Sequence, residues 1–306
     1  MPNLEGYPQG APLQKTKNMK IGIIGLGLIG GSLATSLRNR NFADYFYGFD
    51  INAEHGEQSL EIGFINEFVS LDTLIEKSDL IAVAIPVDKS NKVVQAILDK
   101  LKDGQILIDL GSTKSGVCAE VREHPNRKQF VATHPIAGTE NSGPSAAIDN
   151  LFDTKITIIC EKELSDANAV SVVEKMYQTL NMRIIYMDAE EHDRHIAYVS
   201  HLSHITSFIL GKTVLDLEKD EKNIFNMAGS GFESTVRLAK SSPAMWAPIL
   251  EQNKKHLTVA LDAYMANLQQ FRKYIEEGNS YQTYKLMSEV NEIRRVLNGI
   301  KPINAK

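Results

Sequence analysis

The chain opens on alternating apolar runs and helical spacings. Ile21-Gly-Ile-Ile24 ends at Gly25; Leu28, Ile29, Leu33 and Leu37 follow at helical intervals; and a second apolar run covers Tyr45 to Phe49. Short apolar, β-branched runs bounded by glycine and polar residues predict buried strands, and the spacing between them predicts a helix. The alternation continues with a helix over 53–60 that ends near Gly63 and a strand over Leu80–Ile85 stopped by Pro86. Asp88–Leu101 reads as a helix with Val93, Val94, Ile97, Leu98 and Leu101 on its apolar side. Strands follow at Ile106–Asp109, Phe130–Thr133, Lys155–Cys160 and Arg183–Tyr186, with a helix over Ala167–Leu180 between the last two. This order predicts an α/β domain built on a Rossmann-type, doubly wound and mostly parallel sheet.

The pattern changes near residue 187. From Ala189 to Gly299 strand signals nearly vanish, and long amphipathic segments appear at His192–Leu217, Phe232–Ala239, Pro243–Glu277 and Tyr281–Leu297. They predict an all-α second domain, and long apolar-striped helices without a sheet suit a two-fold dimer interface. The expected division is a disordered tail at 1–18, a nucleotide-binding domain at 19–186, a helical domain at 187–299 and a tail at 300–306. Residues 1–18 carry three Pro and two Gly without periodicity, and Met19 reads as the natural start. No segment after Leu297 is expected to form a further regulatory or fused domain.

Composition narrows the function classes. A chain of 306 residues suggests about two domains with ample length for a core. A net charge of −5 without a basic cluster argues against a nucleic-acid surface. Cys118 and Cys160 stand far apart with no metal-like spacing, which suits buried thiols in a reducing compartment. No apolar run reaches the ~18 residues of a membrane span. The N-terminus lacks the charged-then-apolar order of a secretion signal. The expectation is a cytoplasmic protein with no membrane partner.

The turn after the first strand carries G-x-G-x-x-G as Gly25, Gly27 and Gly30. In that setting Gly25 permits the tight turn, Gly27 lets the backbone approach a pyrophosphate, and Gly30 lets helix and strand pack closely. The helix start at Leu28 and Ile29 offers unpaired N–H groups to phosphates. Asp50 closes the second strand about 20 residues after the last glycine, where an acid accepts both hydroxyls of an adenosine ribose. No arginine follows it in Ile51-Asn52-Ala53, so NAD is expected over NADP. A glycine-rich turn without a ligand is the bland alternative, and the flanking strand, helix and acid weigh against it.

Ligands of open α/β sheets lie beyond the carboxyl ends of the strands, which directs attention to residues just after them. These are Pro86-Val87-Asp88, Ser112-Thr113-Lys114 and His134, with Glu140 shortly after. A histidine fixed there and followed by proline suits proton transfer near neutral pH; a structural histidine bonded to a neighbouring strand is the competing reading. In the helical half, His192, His195, His201 and His204 invite a metal reading. At about 100° per residue on one helix, the first pair and the second pair point to opposite sides. No metal site is therefore expected; one pair would face the site and the other solvent. Arg237, on a helix after the glycine turn Gly229-Ser-Gly231, could clamp a carboxylate, against the alternative of an ordinary surface arginine. Trp246 and the methionines read as core.

Five motifs occur in order: Gly-Leu-Gly-Leu-Ile-Gly-Gly-Ser at 25–32, Asp-Leu-Gly-Ser-Thr-Lys at 109–114, His-Pro-Ile-Ala-Gly-Thr-Glu at 134–140, Ser-His-Leu-Ser-His at 200–204 and Arg-Leu-Ala-Lys-Ser-Ser-Pro-Ala-Met-Trp at 237–246. Together they resemble the prephenate dehydrogenase (TyrA) family of tyrosine biosynthesis, over about Lys20 to Leu297. The resemblance implies a Rossmann domain, a helical dimerisation domain, a cleft between them and a homodimer. It implies NAD-dependent oxidative decarboxylation of prephenate to 4-hydroxyphenylpyruvate. By position it makes His134 the catalytic histidine and Ser112 its neighbour near the substrate hydroxyl and nicotinamide. It makes Arg237 the carboxylate ligand, with His204 and His201 lining the substrate pocket, Glu140 an access or ion-pair residue, and Pro86 a cofactor contact. One departure stands out: some relatives carry an acid at the position of Ser234, and Glu233 is the nearest acid here. Alternatives are an arogenate dehydrogenase, a β-hydroxyacid dehydrogenase relying on a helix lysine, and a non-catalytic NAD(H)-sensing module.

Overall fold

The computed structural model describes residues 19–219 and 223–300; the expected tails at 1–18 and 300–306 lie outside them, except for Ile300, which ends the last helix. The strands are β1 (Lys20–Ile24), β2 (Tyr45–Phe49), β3 (Glu67–Phe68), β4 (Leu80–Val83), β5 (Ile106–Asp109), β6 (Phe130–Ile136), β7 (Ile156–Cys160) and β8 (Arg183–Met187). They form one sheet in the order β3-β2-β1-β4-β5-β6-β7-β8. Pairing is parallel from β3 through to β6, and β7 runs antiparallel to β6. Helices α1 (Leu28–Asn39), α2 (Ala53–Ile62), α3 (Leu71–Lys77), α4 (Val87–Leu98), α5 (Ser115–Val121) and α6 (Ala167–Thr179) separate the strands. The expected strands are present. The two-residue β3 and the seven-residue α3 and α5 fall below what periodicity detects.

Alternate residues of the central strands serve opposite faces. Ile21, Ile23, Leu80, Ala82, Ile106 and Ile108 join Leu33 and Leu37 of α1 and Val173, Met176 and Tyr177 of α6 in one fully buried cluster. On the other face Gly22 leaves room for Leu74 of α3, since a Cβ there would lie 2.4 Å from Leu74 Cδ2. Helices on both faces explain why these strands are apolar throughout rather than alternating. Helix ends are set locally: Asn52, Ser70 and Asp166 cap α2, α3 and α6 by accepting N–H bonds from the first turn.

The chain forms two compact units. The first holds the chain up to Ile85, Lys89–Gly111 and Glu120–Tyr186; the second holds Pro86–Asp88, Ser112–Ala119 and the chain from Met187. The short segments that follow β4 and β5 thus belong with the helical unit, although they fall inside the stretch 19–186. The rest of the second unit is α7 (Ala189–Ile196), a π-helical turn at Ala197–His201, α8 (Leu202–Glu218), α9 (Ser230–Val236), α10 (Pro243–Gln252), α11 (Lys254–Glu276), α12 (Ser280–Val290) and α13 (Ile293–Ile300). The amphipathic segment Pro243–Glu277 is divided into two helices at Asn253, whose side chain is committed to a buried network. The expected segment Tyr281–Leu297 is likewise split, after Val290. Among the described residues no helix is long and apolar enough to cross a membrane.

The glycine turn follows β1. Gly25 sits at φ 91°, and a Cβ there would lie 2.4 Å from the Ala84 carbonyl oxygen. At Gly30 a Cβ would fall 2.0 Å from the Gly25 oxygen and 2.9 Å from Ile23 Cγ2, whereas at Gly27 the nearest atom is 4.0 Å away. Two glycines are therefore needed by the fold, and the third leaves open space. Gly30→Ala should destabilise the protein by about 1–3 kcal/mol, lowering the thermal midpoint by several degrees. Gly27→Ala should melt like the wild type in the absence of ligand. Thermal denaturation of both variants checks this, and equal midpoints would reject the packing role of Gly30.

Candidate functional site

In the first unit the glycine turn and β2 are joined through Asp50. Its Oδ2 accepts the Leu26 N–H at 2.9 Å, its Oδ1 accepts the Asn52 N–H at 2.9 Å, and His55 Nδ1 lies 3.4 Å from Oδ2. The acid singled out for a ribose thus also braces the turn that leads to Gly27. Helix α1 starts at Leu28 with Gly27 as an N-cap that provides no side-chain bond. A helix start leaves its first N–H groups without intrahelical partners, and among the described residues nothing comes closer than 4.0 Å to a Cβ at Gly27 beside them. A dinucleotide pyrophosphate fits this arrangement in charge and in room.

His134 lies within β6, not just after a strand as the sequence suggested. On the parallel side β5 ends at Asp109 opposite Ala132; beyond that point β6 pairs only with β7, placing His134 opposite Ile158. The extension carries His134 two positions past the end of its parallel neighbour. It also makes Pro135 tolerable, because no ladder bond is asked of it on the β5 side. His134 is buried, 7% exposed. The residue before it is locked from three sides. Thr133 Oγ1 donates to the Asp109 carbonyl at 2.7 Å and lies 2.6 Å from the Tyr177 hydroxyl, while its N–H faces Asp109 Oδ1 at 3.4 Å. Asp109 Oδ2 also accepts the Gly111 N–H. Asp109, Thr133 and Tyr177 escaped the sequence reading; an acid ending a buried strand was the only available signal. Glu140 is exposed in the loop after β6, and Pro86 is exposed where the chain leaves β4.

The second unit gathers the remaining candidates around two buried groups, Asp193 and Asn253. Asp193 Oδ1 accepts the Lys114 N–H and Oδ2 accepts the Ser115 N–H, both at 2.8 Å, and His192 Nδ1 lies 2.8 Å from Oδ1. Burial pushes this carboxyl up, but the bond and charge of His192 and the bonds from Lys114 and Ser115 outweigh it, so the net shift is downward. The segment carrying Ser112 is further held where Thr113 Oγ1 donates to Gln252 Oε1 at 2.6 Å, while Gln252 Nε2 donates to the Val87 carbonyl at 2.6 Å. Ser112 itself is partly exposed.

The four histidines divide differently from the helical-wheel expectation. His192 and His201 are both fully buried, while His195 is more than half exposed. The reason is the π-helical turn at Ala197–His201, which takes an extra residue and sets the following helix back by roughly 100°. His201 and His204 flank Trp246: the His204 ring stacks on the indole at 3.5 Å between centroids, and His201 meets it edge-on at 5.9 Å. Trp246 is core, packed with Val87 and Ile249, and at the same time forms the floor between these two rings. His204 Nδ1 faces the Ser200 carbonyl at 3.0 Å, which makes Nδ1 the donor. Burial, with a contribution from the nearby Arg237 charge, lowers the His204 pKa. Arg237 is not on the body of a helix but at the C-terminal cap of α9, where it opens a 3-10 turn, exposed to solvent. Ser234, where some relatives carry an acid, donates only to the Gly231 carbonyl. Among the described residues no group of three or more His, Cys, Asp or Glu is arranged to hold a metal ion.

The chain matches the family model described as prephenate dehydrogenase, nucleotide-binding domain, over residues 33–186, and that described as prephenate dehydrogenase, dimerization domain, over 188–289. It is 29% identical to prephenate dehydrogenase of Bacillus subtilis over 89% of this chain and 74% of that protein. It is 30% identical to cyclohexadienyl dehydrogenase of Zymomonas mobilis over 90% of this chain and 95% of that protein. The structure of prephenate dehydrogenase from A. aeolicus, solved with hydroxyphenyl propionate and NAD+, superposes with a TM-score of 0.85 at 29% identity, over 93% of this chain and all of that one.

His201 supplies a pH test. Burial pulls its pKa from 6.5 to about 4. The unfolded chain then binds a proton that the folded chain refuses, so stability is lost as pH falls from about 6.5 toward 4. His204 acts in the same direction. His201→Gln should flatten part of this acid limb: its thermal midpoint should fall less than the wild type's between about pH 6.5 and 4.5. Parallel decreases in the two proteins would show that His201 does not carry the effect.

Proposed function

Because the chain belongs to the prephenate dehydrogenase family, we propose that it catalyses the NAD-dependent oxidative decarboxylation of prephenate to 4-hydroxyphenylpyruvate. Two observations carry this reading, one in each unit: a buried histidine at the extended end of β6 in the first, and an exposed arginine beside a His–Trp stack in the second. One set of residues suits moving a proton and the other suits holding an anionic ring. NAD+ supplies the hydride acceptor for C4 of the substrate.

Each side chain then has one task. Neutral His134 takes the proton of the C4 hydroxyl as the hydride leaves, and Ser112 hydrogen-bonds to that hydroxyl and orients it. The forming carbonyl draws electrons from the ring, C1 releases CO₂, and aromatisation makes the step irreversible. Arg237 binds a substrate carboxylate through its fork of N–H donors, and His204 and His201 line the pocket. Stacked on Trp246, His204 is kept in orientation; its burial keeps it neutral, so the positive charge offered to the substrate is that of Arg237. Gly25, Gly27, Leu28, Ile29, Gly30, Asp50 and Pro86 hold the cofactor, and Asp50, set in the turn, favours the 2′-hydroxyl of NAD. Glu140 guards access from the loop after β6. The domain assignments proposed with this reading are cofactor binding for 19–186 and substrate binding with homodimer formation for 187–299. The composition supports a cytoplasmic setting.

His134→Asn should lower kcat by about 10²–10⁴-fold, the usual value of a general base, while NAD+ binding measured by fluorescence titration stays intact. Undiminished turnover would remove His134 from the mechanism. Arg237→Gln should raise the KM for prephenate roughly 10–100-fold, as expected for losing a hydrogen-bonded charge pair; an unchanged KM would reject the carboxylate clamp. Parallel NADH assays with prephenate and arogenate decide the substrate. Faster turnover of arogenate would replace the proposed activity with that of an arogenate dehydrogenase.

A further inference from the structure

Among the described residues three buried ring nitrogens of the second unit have no hydrogen-bond partner; one, His256 Nε2, lies 3.1 Å from Glu190 Oε1, and the other two are His201 Nε2 and Trp246 Nε1. Both belong to the cluster that includes His204 and lies beside Arg237. An unpartnered buried donor costs free energy unless something satisfies it, so a pair of them marks a place for a ligand with acceptor oxygens.

Whether His201 Nε2 is a donor depends on where the ring proton sits, and the neighbouring residue decides that. Asn253 is buried, 1% exposed. Its Nδ2 lies 2.7 Å from the Asp193 carbonyl oxygen and 3.1 Å from His201 Nδ1. A carbonyl can only accept, so the first contact fixes the amide with its NH₂ on this side. The second hydrogen of the same NH₂ then points at His201 Nδ1, which must present its lone pair. A neutral imidazole that accepts at Nδ1 carries its proton on Nε2. Burial of His201 keeps the ring neutral, in agreement with this arrangement. Asn253 can serve because it interrupts the helical run between α10 and α11. It provides no side-chain cap for α11, and its amide is turned into the network instead.

Building on the prephenate reading, we propose that Asn253 is a positioning residue that locks His201 in the Nε2–H form, making it a neutral hydrogen-bond donor to a carboxylate or carbonyl oxygen of the substrate. Asp193 completes the device. Its carboxylate fixes the backbone of Lys114 and Ser115, and its own carbonyl fixes the orientation of Asn253. The segment that carries Ser112 and the tautomer of His201 are therefore set by one residue.

The test begins with the wild-type protein labelled with 15N-histidine. Long-range 15N–1H spectra should show His201 protonated on Nε2 and not on Nδ1. Addition of hydroxyphenyl propionate with NAD+ should shift that resonance. A proton on Nδ1, or an unmoved resonance in the saturated complex, would overturn the proposal. Asn253→Asp replaces the donor with an acceptor and should move the proton to Nδ1. It should also raise the KM for prephenate about tenfold or more, with a smaller change in kcat and an unchanged KM for NAD+. A switched tautomer with an unaltered KM would refute the donor role. Should Asn253→Asp fail to fold, a double-mutant cycle replaces it: His201→Phe should raise KM to a similar extent, and Asn253→Ala should add nothing further on that background. Additive effects would mean that Asn253 acts elsewhere. The tautomer is read without substrate, so its outcome stays separate from the question of which cyclohexadienyl acid is turned over.

Discussion

A carboxylate with almost no exposure to water must be surrounded by donors or give up its charge. Asp193, 2% exposed, meets that requirement with two backbone N–H groups of the 112–119 segment and the ring of His192. Those donors are available only if the chain takes the path it does after β5. The carboxylate therefore dictates the course of the segment that carries Ser112 and Thr113, and through the Asp193 carbonyl it reaches Asn253 and His201. Much of the candidate chemistry of the helical unit depends on keeping this one charge satisfied.

The sheet unit solves a comparable problem with backbone geometry. Extending β6 past the end of β5 leaves His134 with a strand partner on one side only, and the Asp109–Thr133–Tyr177 bonds prevent the extension from fraying. Tyr177 can anchor this arrangement because it is fully buried, and burial pushes its hydroxyl pKa up, so it remains a neutral hydrogen-bonding group. At the same carboxyl edge of the sheet the glycine turn divides its labour. Gly25 and Gly30 are demanded by neighbouring backbone, while among the described residues nothing comes closer than 4.0 Å to a Cβ at Gly27. A glycine kept where the fold does not require one fits a ligand that must approach the backbone closely.

The second unit separates neutral polarity from charge. Burial holds His201 and His204 neutral, so neither competes with Arg237 for an anion. The π-helical turn makes this possible by bringing His201 to the buried side while leaving His204 stacked on Trp246. Without the extra residue the two histidines of the second pair would follow a regular helical phase. Under the proposed function, specificity for an anionic ring would rest on one exposed guanidinium and several oriented neutral donors.

Periodicity alone was enough to read the α/β alternation, the helical second half and the glycine turn with its acid, because each depends on contacts between residues close in sequence or on a repeating burial pattern. The motifs also named His134, Ser112, Arg237, His204 and His201. What they could not give was the state of those residues. That His134 lies inside a strand follows from strands ending at different heights. The regrouping of the four histidines follows from a single π turn, invisible to a fixed angle of 100° per residue. Asp109, Thr133, Tyr177, Asp193, Gln252 and Asn253 carry no local pattern, since each has a partner between 24 and 165 residues away. Sequence determined which elements form and which residues could do chemistry; tertiary structure decided which ring nitrogen bears a proton and which donors stay free. Hydrogen bonds between distant segments set those choices, and their geometry exists only once the chain has folded.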